Sequence, residues 1–385
     1  MDTTWKAGLE DVIAARSAIT AIDGVAGRLY HRGYEIGELA EHASFEETTH
    51  LLWFGELPSA AASDAFATRL RAAREFPAAV LALLRALPAD THPLDALRTA
   101  VSLAATVDPD RRAGDADANL RKALRLVTLV PGVVAAWHRL RAGHLPVLAD
   151  PQGSHAAHFL RLLHGHPPAA DVAKVLDTIL TLHADHELNA STFAVRVAVA
   201  TLTDLHAAVV AAIATLKGPR HGGANEDVLA MLLEIGDPER AEAYVAARLD
   251  AHARGTRAER ADPRARIPGF GHRVYRVDDA RARVLRQMAK TMAEATGHAR
   301  LFAVAEGVYS AMTARTGLPV NVDFFSAVVY HALGIPGDLC TSIFAVGRVA
   351  GWCAHALEQY ADNRLIRPRA EYIGLPPRGL LAPAR

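Results

Sequence analysis

The sequence predicts a mainly α-helical fold, and three observations carry this prediction. Apolar residues recur with helical spacing along most of the chain. Alanine, which has the highest intrinsic helix propensity, is abundant. Strand signals are confined to one short region near the N-terminus. Because the chain has 385 residues, which exceeds one average hydrophobic core, we expect two domains.

A small β-hairpin is predicted first along the chain. Residues 18–22 and 28–30 are the two strand-like runs, and Asp23 and Gly24 between them favour a turn. The rest of the chain contains no internal repeat and no low-complexity tract, so helices account for most of the remaining residues.

Several helices are predicted with explicit boundary signals. Ser44 and Glu47 form a capping box that opens a helix through Trp53, and this helix ends near Gly55. A proline in the first turn predicts a helix over 93–107. Residues 116–141 form a long amphipathic helix, ended by Gly143 and kinked at proline 131. The remaining predicted helices are 170–182, 191–216, 225–235, 238–254, 279–295, 299–315, 323–333 and 339–360.

Composition excludes several classes of protein. Hydrophobic residues make up 51% and charged residues 22%, as in globular rather than disordered proteins. The 42 basic residues balance the 42 acidic ones, whereas nucleic-acid-binding domains are generally basic.

Residues 1–14 lack the apolar core of a signal peptide. Residues 192–216 are the most apolar long stretch, but they include Arg196, Asp204 and His206, which indicates a buried helix rather than a membrane span. Cys340 and Cys353 are too few for a disulfide framework, which favours the cytoplasm.

Residues 182–192 contain two histidines, His183 and His186, whose spacing places them on one face of a helical turn. One interpretation is a metal site. The segment lacks the HExxH and cysteine-bearing zinc patterns, however, and offers no obvious third ligand. The alternative is a pair of core or capping histidines.

Residues 217–226 form a turn rich in glycine and proline that leads directly into a helix. His221 would lie at the helix N-terminus, where the helix dipole disfavours imidazolium. A neutral histidine there is able to donate a hydrogen bond to an enol or enolate oxygen. The alternative is a turn histidine that only caps the helix.

Residues 254–276 form a glycine-containing basic segment. Gly269 and Gly271 permit backbone N–H groups to approach a ligand closely. Seven arginines against Glu259 and Asp262 give a formal charge of seven minus two, or +5. This excess predicts a phosphate-bearing ligand, and a solvated basic loop is the alternative. The arginines are Arg254, Arg257, Arg260, Arg264, Arg266, Arg273 and Arg276.

Asp323 lies between apolar neighbours at a predicted helix start. It is either the N-cap of that helix or a partly desolvated carboxylate that acts as a base.

Together these segments resemble the citrate synthase family, and the resemblance covers nearly the whole chain. Its most specific part is an ordered set of residues: His186, His221, His272 followed nine residues later by Arg281, Asp323, Arg348 and Arg367. Other matching segments are 8–11, 22–24, 30–34, 51–55, 92–93, 97–102, 344–352 and 366–369.

The resemblance implies catalytic roles for three residues. Asp323 matches the base that removes a proton from the methyl group of acetyl-CoA. His221 matches the histidine that hydrogen-bonds the thioester oxygen as the enol or enolate forms. His272 matches the histidine that polarises the carbonyl of oxaloacetate.

Binding roles follow from the same resemblance. His186, Arg281 and Arg348 match groups that hold oxaloacetate, and Arg367 matches an arginine that one subunit of a homodimer donates to the other. The residues that match CoA contacts are Pro268, Gly269, Phe270, Gly271 and Arg276. The resemblance implies no metal and no permanently bound cofactor, since acetyl-CoA is a co-substrate.

The resemblance also implies a large domain of residues 1–221 and 334–385 and a small domain of residues 222–333 that closes over it. Two positions depart from the family pattern. Ala280 stands where the family usually has proline, and Arg220 stands where an apolar residue is common. We expect citrate formation. The alternatives are 2-methylcitrate formation from propionyl-CoA, citrate or citryl-CoA cleavage, and a non-catalytic CoA-binding paralogue.

Overall fold

The computed structural model describes residues 5–10, 12–147, 152–222, 224–256, 262 and 266–378. Across these residues the fold is mainly α-helical with one small antiparallel sheet, which confirms the predicted class. Three arginines of the predicted basic segment, Arg257, Arg260 and Arg264, lie outside the described residues.

The predicted hairpin is present and carries a third strand. Strands β1 (Thr20–Asp23), β2 (Arg28–His31) and β3 (Tyr34–Glu35) pair in that order. The Asp23 carboxylate accepts the N–H groups of residues 25 and 26 at 3.0 and 2.8 Å, and so closes the first turn. Strand β3 has two residues, too few to show an alternating pattern in the sequence.

Helices account for most of the remaining described residues. In chain order, the α-helices are α1 (Ile36–His42), α2 (Phe45–Phe54), α3 (Ala60–Ala72), α4 (Ala78–Ala86), α5 (Pro93–Val107), α6 (Ala116–Arg141), α7 (His155–His164), α8 (Ala170–His183), α9 (Ala190–Val199), α10 (Leu205–Leu216), α11 (Ala224–Ile235), α12 (Ala241–Arg254), α13 (Ala280–Ala295), α14 (Ala299–Thr316), α15 (Val322–Ala332) and α16 (Cys340–Ala361).

The structure shows helix boundaries at the residues that the capping signals predict. The Ser44 hydroxyl accepts from the Glu47 N–H at 3.2 Å, and the Glu47 carboxylate accepts from the Ser44 N–H at 2.9 Å. Gly55 ends α2 with a φ of 91°. Pro93 is the first residue of α5, and α6 continues through Pro131 to Arg141.

One predicted helix is wrong as a single element. Residues 191–216 form two helices, α9 and α10, that pack against each other. Leu202 in the intervening turn has a φ of 64°, and the Asp204 side chain caps α10 by accepting the Ala207 N–H at 3.0 Å. The predicted helix over 238–254 also begins differently, with a 3-10 turn, Pro238–Arg240, before α12.

Four helices, α1, α3, α4 and α7, were not predicted. They have between seven and thirteen residues, so their apolar positions repeat over only two or three turns. Tertiary packing supplies most of the stability of such short helices.

Burial explains the most membrane-like segment of the described chain. Helix α6 is long and apolar enough to cross a membrane, but 78% of its most apolar window is buried inside the protein. It packs against α5, α7 and α16, as a core helix does. Cys340 and Cys353 are likewise buried, in α16, and are not disulfide-bonded.

The helices pack in two groups. Helices α5 to α10 contact one another and α16, whereas α11 to α15 contact mainly each other. Contacts of α1 and α8 with α13, and of α11 with α16, join the groups. One continuous hydrophobic core runs through both, so the division into residues 1–221 with 334–385 and residues 222–333 stays a prediction.

Candidate active site

The loop after α8 begins the site. Helix α8 ends at His183, and His186 lies beyond it in a turn, so the prediction that both histidines share one helical face is wrong. His183 is a buried structural residue. Its Nε2 is 2.7 Å from the Tyr330 hydroxyl, and its carbonyl accepts from Arg348 Nε at 2.7 Å.

His186 instead lies against His272, which belongs to the segment before α13. Their ring centroids are 5.3 Å apart. His272 Nδ1 accepts the N–H groups of Val274 and Tyr275, both at 3.0 Å, so its proton resides on Nε2. Burial lowers the pKa of His272 to about 4. His272 is therefore a neutral ring whose Nε2–H is a hydrogen-bond donor.

Two buried arginines flank this histidine pair. Arg281 donates to Asp279 through Nε at 3.0 Å and Nη2 at 2.6 Å, and it opens α13 with Asp279 as the N-cap. The Arg348 guanidinium lies 4.6 Å from the Phe344 ring centroid. The buried polar atoms without a hydrogen-bond partner include three nitrogens of this site, Arg281 Nη1, Arg348 Nη2 and His186 Nε2. Since buried donors are normally satisfied, this group suits a carboxylate-bearing ligand.

Asp323 lies in the first turn of α15. The N-cap of this helix is Asn321, whose side chain accepts the Asp323 N–H at 3.0 Å, so the capping interpretation of Asp323 is wrong. Asn225 donates from Nδ2 to Asp323 Oδ1 at 2.8 Å. Burial raises the pKa of Asp323 to about 6, although Asn225 and Arg281 act in the opposite direction. A carboxyl group with this pKa suits proton transfer near neutral pH.

His221 precedes α11, which begins at Ala224. Burial, with a smaller contribution from Arg348, lowers the pKa of His221 to about 4. The ring is therefore neutral as expected, but burial rather than the helix dipole is the main cause. Nε2 accepts the Ser191 N–H at 3.3 Å and is 2.9 Å from the Ser191 hydroxyl, which leaves the proton on Nδ1.

The segment with two glycines lies against the strand-like residues that lead into Asp323. Phe270 forms a β-bridge with Val320, and the Asn321 N–H donates to the Gly269 carbonyl at 3.0 Å. Gly269 and Gly271 both have a φ of 85°, which disfavours a side chain. A Cβ on Gly269 would lie 2.7 Å from the Phe324 ring, so this loop and the Asp323 helix fit closely.

Three arginines noted in the sequence lie at the surface. Arg276 is exposed, and its backbone N–H donates to the Gly24 carbonyl at 2.8 Å. Arg220 is exposed beside His221. Arg367 is exposed in the irregular segment after α16, away from any helix or strand.

The effects of neighbouring charges on pKa values indicate which of the predicted site residues are close together. Burial is the largest cause that lowers the pKa of His186, and Arg281, His272 and Arg348 each lower it further. Arg348 also lowers the pKa values of Asp323 and His221. Sequence reasoning missed Ser191, Asn225, Tyr275 and Asp279, which orient or adjoin these groups. Of these, only Asp279 carried a sequence signal, since it stands two residues before Arg281 at a helix start.

One metal-compatible arrangement occurs among the described residues. His186, His272 and Asp279 offer ligand atoms that all lie within 4.8 Å of one another. His183 does not belong to this group, and Asp279 is already bound to Arg281. The nearby cationic side chains of Arg281 and Arg348 oppose a metal ion and favour an anion.

Comparisons with known proteins identify relatives along nearly the whole chain. A protein-family model described as "Citrate synthase, C-terminal domain" matches residues 8–369. The chain is 44% identical to "Citrate synthase 2" of Bacillus subtilis, with 95% of each chain covered. It is 37% identical to "2-methylcitrate synthase" of Shewanella oneidensis, covering 97% of this chain and 96% of that one. A solved citrate synthase of Thermoplasma acidophilum, in ternary complex with carboxymethyl coenzyme A and oxaloacetate, has a TM-score of 0.89, 31% identity and 98% coverage of both chains.

Proposed function

Because this chain belongs to the citrate synthase family, we propose that it condenses acetyl-CoA with oxaloacetate and water to give citrate and CoA. One observation supports this most directly. Asp323, a carboxyl group with a pKa of about 6, interacts electrostatically with Arg281 and Arg348, and these arginines and His186 each keep a buried nitrogen without a hydrogen-bond partner.

The first step is proton removal from the acetyl methyl group. A thioester methyl proton is weakly acidic, so Asp323 needs a donor at the oxygen where negative charge develops. We assign His221 as that donor. Its Nε2 accepts the Ser191 N–H, which leaves the Nδ1–H available. Loss of such a donor costs about 3–4 kcal/mol of transition-state stabilisation.

The second step joins two carbon atoms. The enol or enolate carbon attacks the ketone carbon of oxaloacetate, and the ketone oxygen takes up the resulting negative charge. His272 donates its Nε2–H to that oxygen as a hydrogen bond and stabilises the developing charge, while the proton that Asp323 removed keeps the total charge of the site unchanged. Water then cleaves the thioester of the citryl-CoA product, which releases citrate and CoA.

Oxaloacetate carries two carboxylates, and the site offers two buried guanidinium groups. Arg281 and Arg348 each keep one nitrogen without a partner, and His186 Nε2 is a third buried nitrogen without one. One carboxylate bound to each guanidinium group would fix the orientation of the ketone between them. The proposed mechanism uses no metal ion and no permanently bound cofactor.

Binding of the CoA portion is assigned to the surface beside Asp323. The backbone of Pro268, Gly269, Phe270 and Gly271 lies against the start of α15, and Arg276 follows it as an exposed cation. The T. acidophilum relative is described with carboxymethyl coenzyme A, which supports a CoA site in this fold. We assign residues 222–333 as a small domain that closes over residues 1–221 and 334–385 and excludes water.

A second substrate assignment has specific support. The relative from S. oneidensis is described as a 2-methylcitrate synthase, which would use propionyl-CoA. One methylene in an apolar pocket provides only about 1–3 kcal/mol of discrimination, so acetyl-CoA and propionyl-CoA are close competitors. We favour acetyl-CoA because the B. subtilis citrate synthase has the higher identity. A cytoplasmic homodimer is part of the same proposal.

The experiment that tests this function measures CoA release from acetyl-CoA and from propionyl-CoA, each with and without oxaloacetate. We expect release only when oxaloacetate is present, with kcat/KM higher for acetyl-CoA and unchanged after exhaustive chelation of metals. A higher kcat/KM for propionyl-CoA would transfer the assignment to 2-methylcitrate synthesis. Absence of release with both thioesters would contradict the condensation.

A further inference from the structure

A buried polar network lies directly behind His186, and the mechanism above does not use it. Its centre is Asp185, which is fully buried. Asp185 Oδ2 is 3.2 Å from His355 Nε2 and accepts the Glu187 N–H at 3.1 Å. The two bonds hold the residue before His186 to α16 and to the residue after it.

The orientation of His355 is fixed from its other side. Arg196 Nε and Nη2 lie 3.0 and 2.8 Å from His355 Nδ1, so Nδ1 is the acceptor and Nε2 carries the proton toward Asp185. Arg196 is anchored in turn by Gln359 at 3.0 Å and by Glu358. Burial alone would raise the pKa of Asp185, but His355, Arg348 and His31 together lower it below its ordinary value, so Asp185 is a carboxylate.

The turn that contains His186 is strained. Glu187 has a φ of 52°, in the left-handed region that residues with a side chain seldom adopt. The cost of such a conformation is about 1–3 kcal/mol per residue unless surrounding bonds stabilise it. The Asp185 side chain supplies such a bond, because it accepts the Glu187 N–H.

The turn is also pressed closely onto α16. The Gly351 N–H donates to the Ala184 carbonyl at 3.0 Å, and a Cβ on Gly351 would lie 2.4 Å from Asp185 Oδ1. Gly347, one helical turn earlier, would place a Cβ 3.0 Å from the Cβ of His183. Arg348 lies on the same helix, so the fit of the turn against α16 sets the position of His186 relative to Arg348.

We propose that Asp185, oriented by His355 and Arg196, is a positioning residue that holds the strained turn at Glu187 and thereby places His186 for oxaloacetate. The inference rests on the proposed function, since it assumes that His186 binds that substrate. Asp185 does not touch the substrate in this assignment. Because Asp185 acts through His186, its loss should weaken the binding of oxaloacetate and leave the binding of the acyl-CoA unchanged.

The test compares Asp185→Ala with Asp177→Ala. Asp177 is a matched control because it is also a buried carboxylate of the α8 region, but it accepts the Phe45 N–H, remote from the site. We expect Asp185→Ala to weaken oxaloacetate binding about tenfold or more, with KM for the acyl-CoA unchanged, because misplacement of a binding group has large effects. Asp177→Ala should lower thermal stability and leave oxaloacetate affinity intact.

A rescue variant separates positioning from general damage. Glycine adopts a positive φ without a Cβ penalty, so Glu187→Gly added to Asp185→Ala should restore part of the oxaloacetate affinity. Equal losses of affinity for both substrates, or no rescue by Glu187→Gly, would overturn the proposal. If Asp185→Ala does not fold, His355→Gln and His355→Leu give the same comparison. The glutamine retains an N–H donor and should bind oxaloacetate more tightly than the leucine, and equal affinities would overturn the proposal.

Binding is measured by calorimetry with oxaloacetate alone, without turnover. This choice keeps the two assignments separate. Failure of the wild-type protein to bind oxaloacetate would contradict the proposed function and with it this inference. Binding by the wild-type protein that is unchanged in Asp185→Ala would contradict only the role of Asp185.

Discussion

At the scale of single residues, burial sets the protonation states on which the proposed chemistry depends. Burial lowers the pKa of His221 and of His272 to about 4 and raises that of Asp323 to about 6. Two neutral imidazole donors and one carboxylate are therefore available together at neutral pH. The backbone N–H groups that bind one nitrogen of each histidine select which nitrogen carries the proton.

The pKa of Asp323 predicts the acid limb of the pH–rate profile. A base must be ionised, and the pKa of Asp323 lies above the ordinary value for aspartate, so kcat/KM should fall as the pH falls through about 6. Asp323→Asn removes the base and should lower kcat by about 10²- to 10⁴-fold while oxaloacetate affinity is largely kept. Steady-state rates over a pH series and calorimetry check both points.

Two results would contradict the assignment of Asp323. One is a kcat near that of the wild-type protein in Asp323→Asn. The other is a wild-type acid limb near pH 4, the ordinary range of a carboxyl group, which would point to a solvated base.

At the scale of secondary-structure elements, the site is built from helix ends and turns. His186 follows α8, His221 precedes α11, Arg281 opens α13 and Asp323 opens α15. Rigid helices hold these ends in place, while the turns provide backbone groups that a helix interior would have used in its own hydrogen bonds. Close packing of a turn against a helix, as at Gly269 against Phe324 of α15, then fixes the elements relative to each other.

Gly269 and Gly271 allow this packing to be tested separately from backbone strain. Both have a φ of 85°, but a Cβ on Gly269 would meet Phe324 at 2.7 Å, whereas a Cβ on Gly271 would meet no atom within 4 Å. Gly271→Ala should therefore cost about 1–2 kcal/mol from the left-handed backbone alone. Gly269→Ala should cost about 1–3 kcal/mol more, because it also overpacks the Phe324 contact.

Denaturant unfolding of the two alanine variants measures this difference. KM for the acyl-CoA should rise more in Gly269→Ala, because Phe324 adjoins Asp323. Equal stabilities would show that the loop moves away from α15 at little cost, and would contradict the close fit.

At the scale of the whole molecule, one of the proposed oxaloacetate ligands lies apart from the others in the single chain. Arg367 is exposed in the irregular segment after α16, whereas the other proposed oxaloacetate ligands are buried. The proposed donation of Arg367 to the site of a second subunit would account for this placement. The same C-terminal segment exposes Tyr372 and Ile373 at 78% and 91%, which suits contact with another protein surface.

Mixed dimers test the donation of Arg367. Arg367→Ala alone should weaken oxaloacetate binding. When Arg367→Ala and Asp323→Asn chains are combined, half of the dimers are mixed and each has one intact site, so about a quarter of wild-type activity should return. An inactive mixture with proven subunit exchange would contradict a shared site. Exchange is verified by mass spectrometry of the intact dimers.

Much of this protein followed from local sequence patterns. Capping residues and apolar periodicity located α2, α5 and α6, because these signals act within one or two helical turns. The ordered motifs indicated the family and the candidate residues His186, His221, His272, Arg281 and Asp323. The helical class, the hairpin and the family membership were all predicted in this way.

Tertiary structure determined the features that depend on contacts between distant residues. It separated His183 from His186, divided residues 191–216 into two helices, assigned the cap of α15 to Asn321 and brought Asp185 to His355. It also made burial, rather than a helix dipole, the main reason that His221 is neutral. Local patterns specify residue type and helix period, whereas burial, tautomer and hydrogen-bond partner depend on how distant segments pack together.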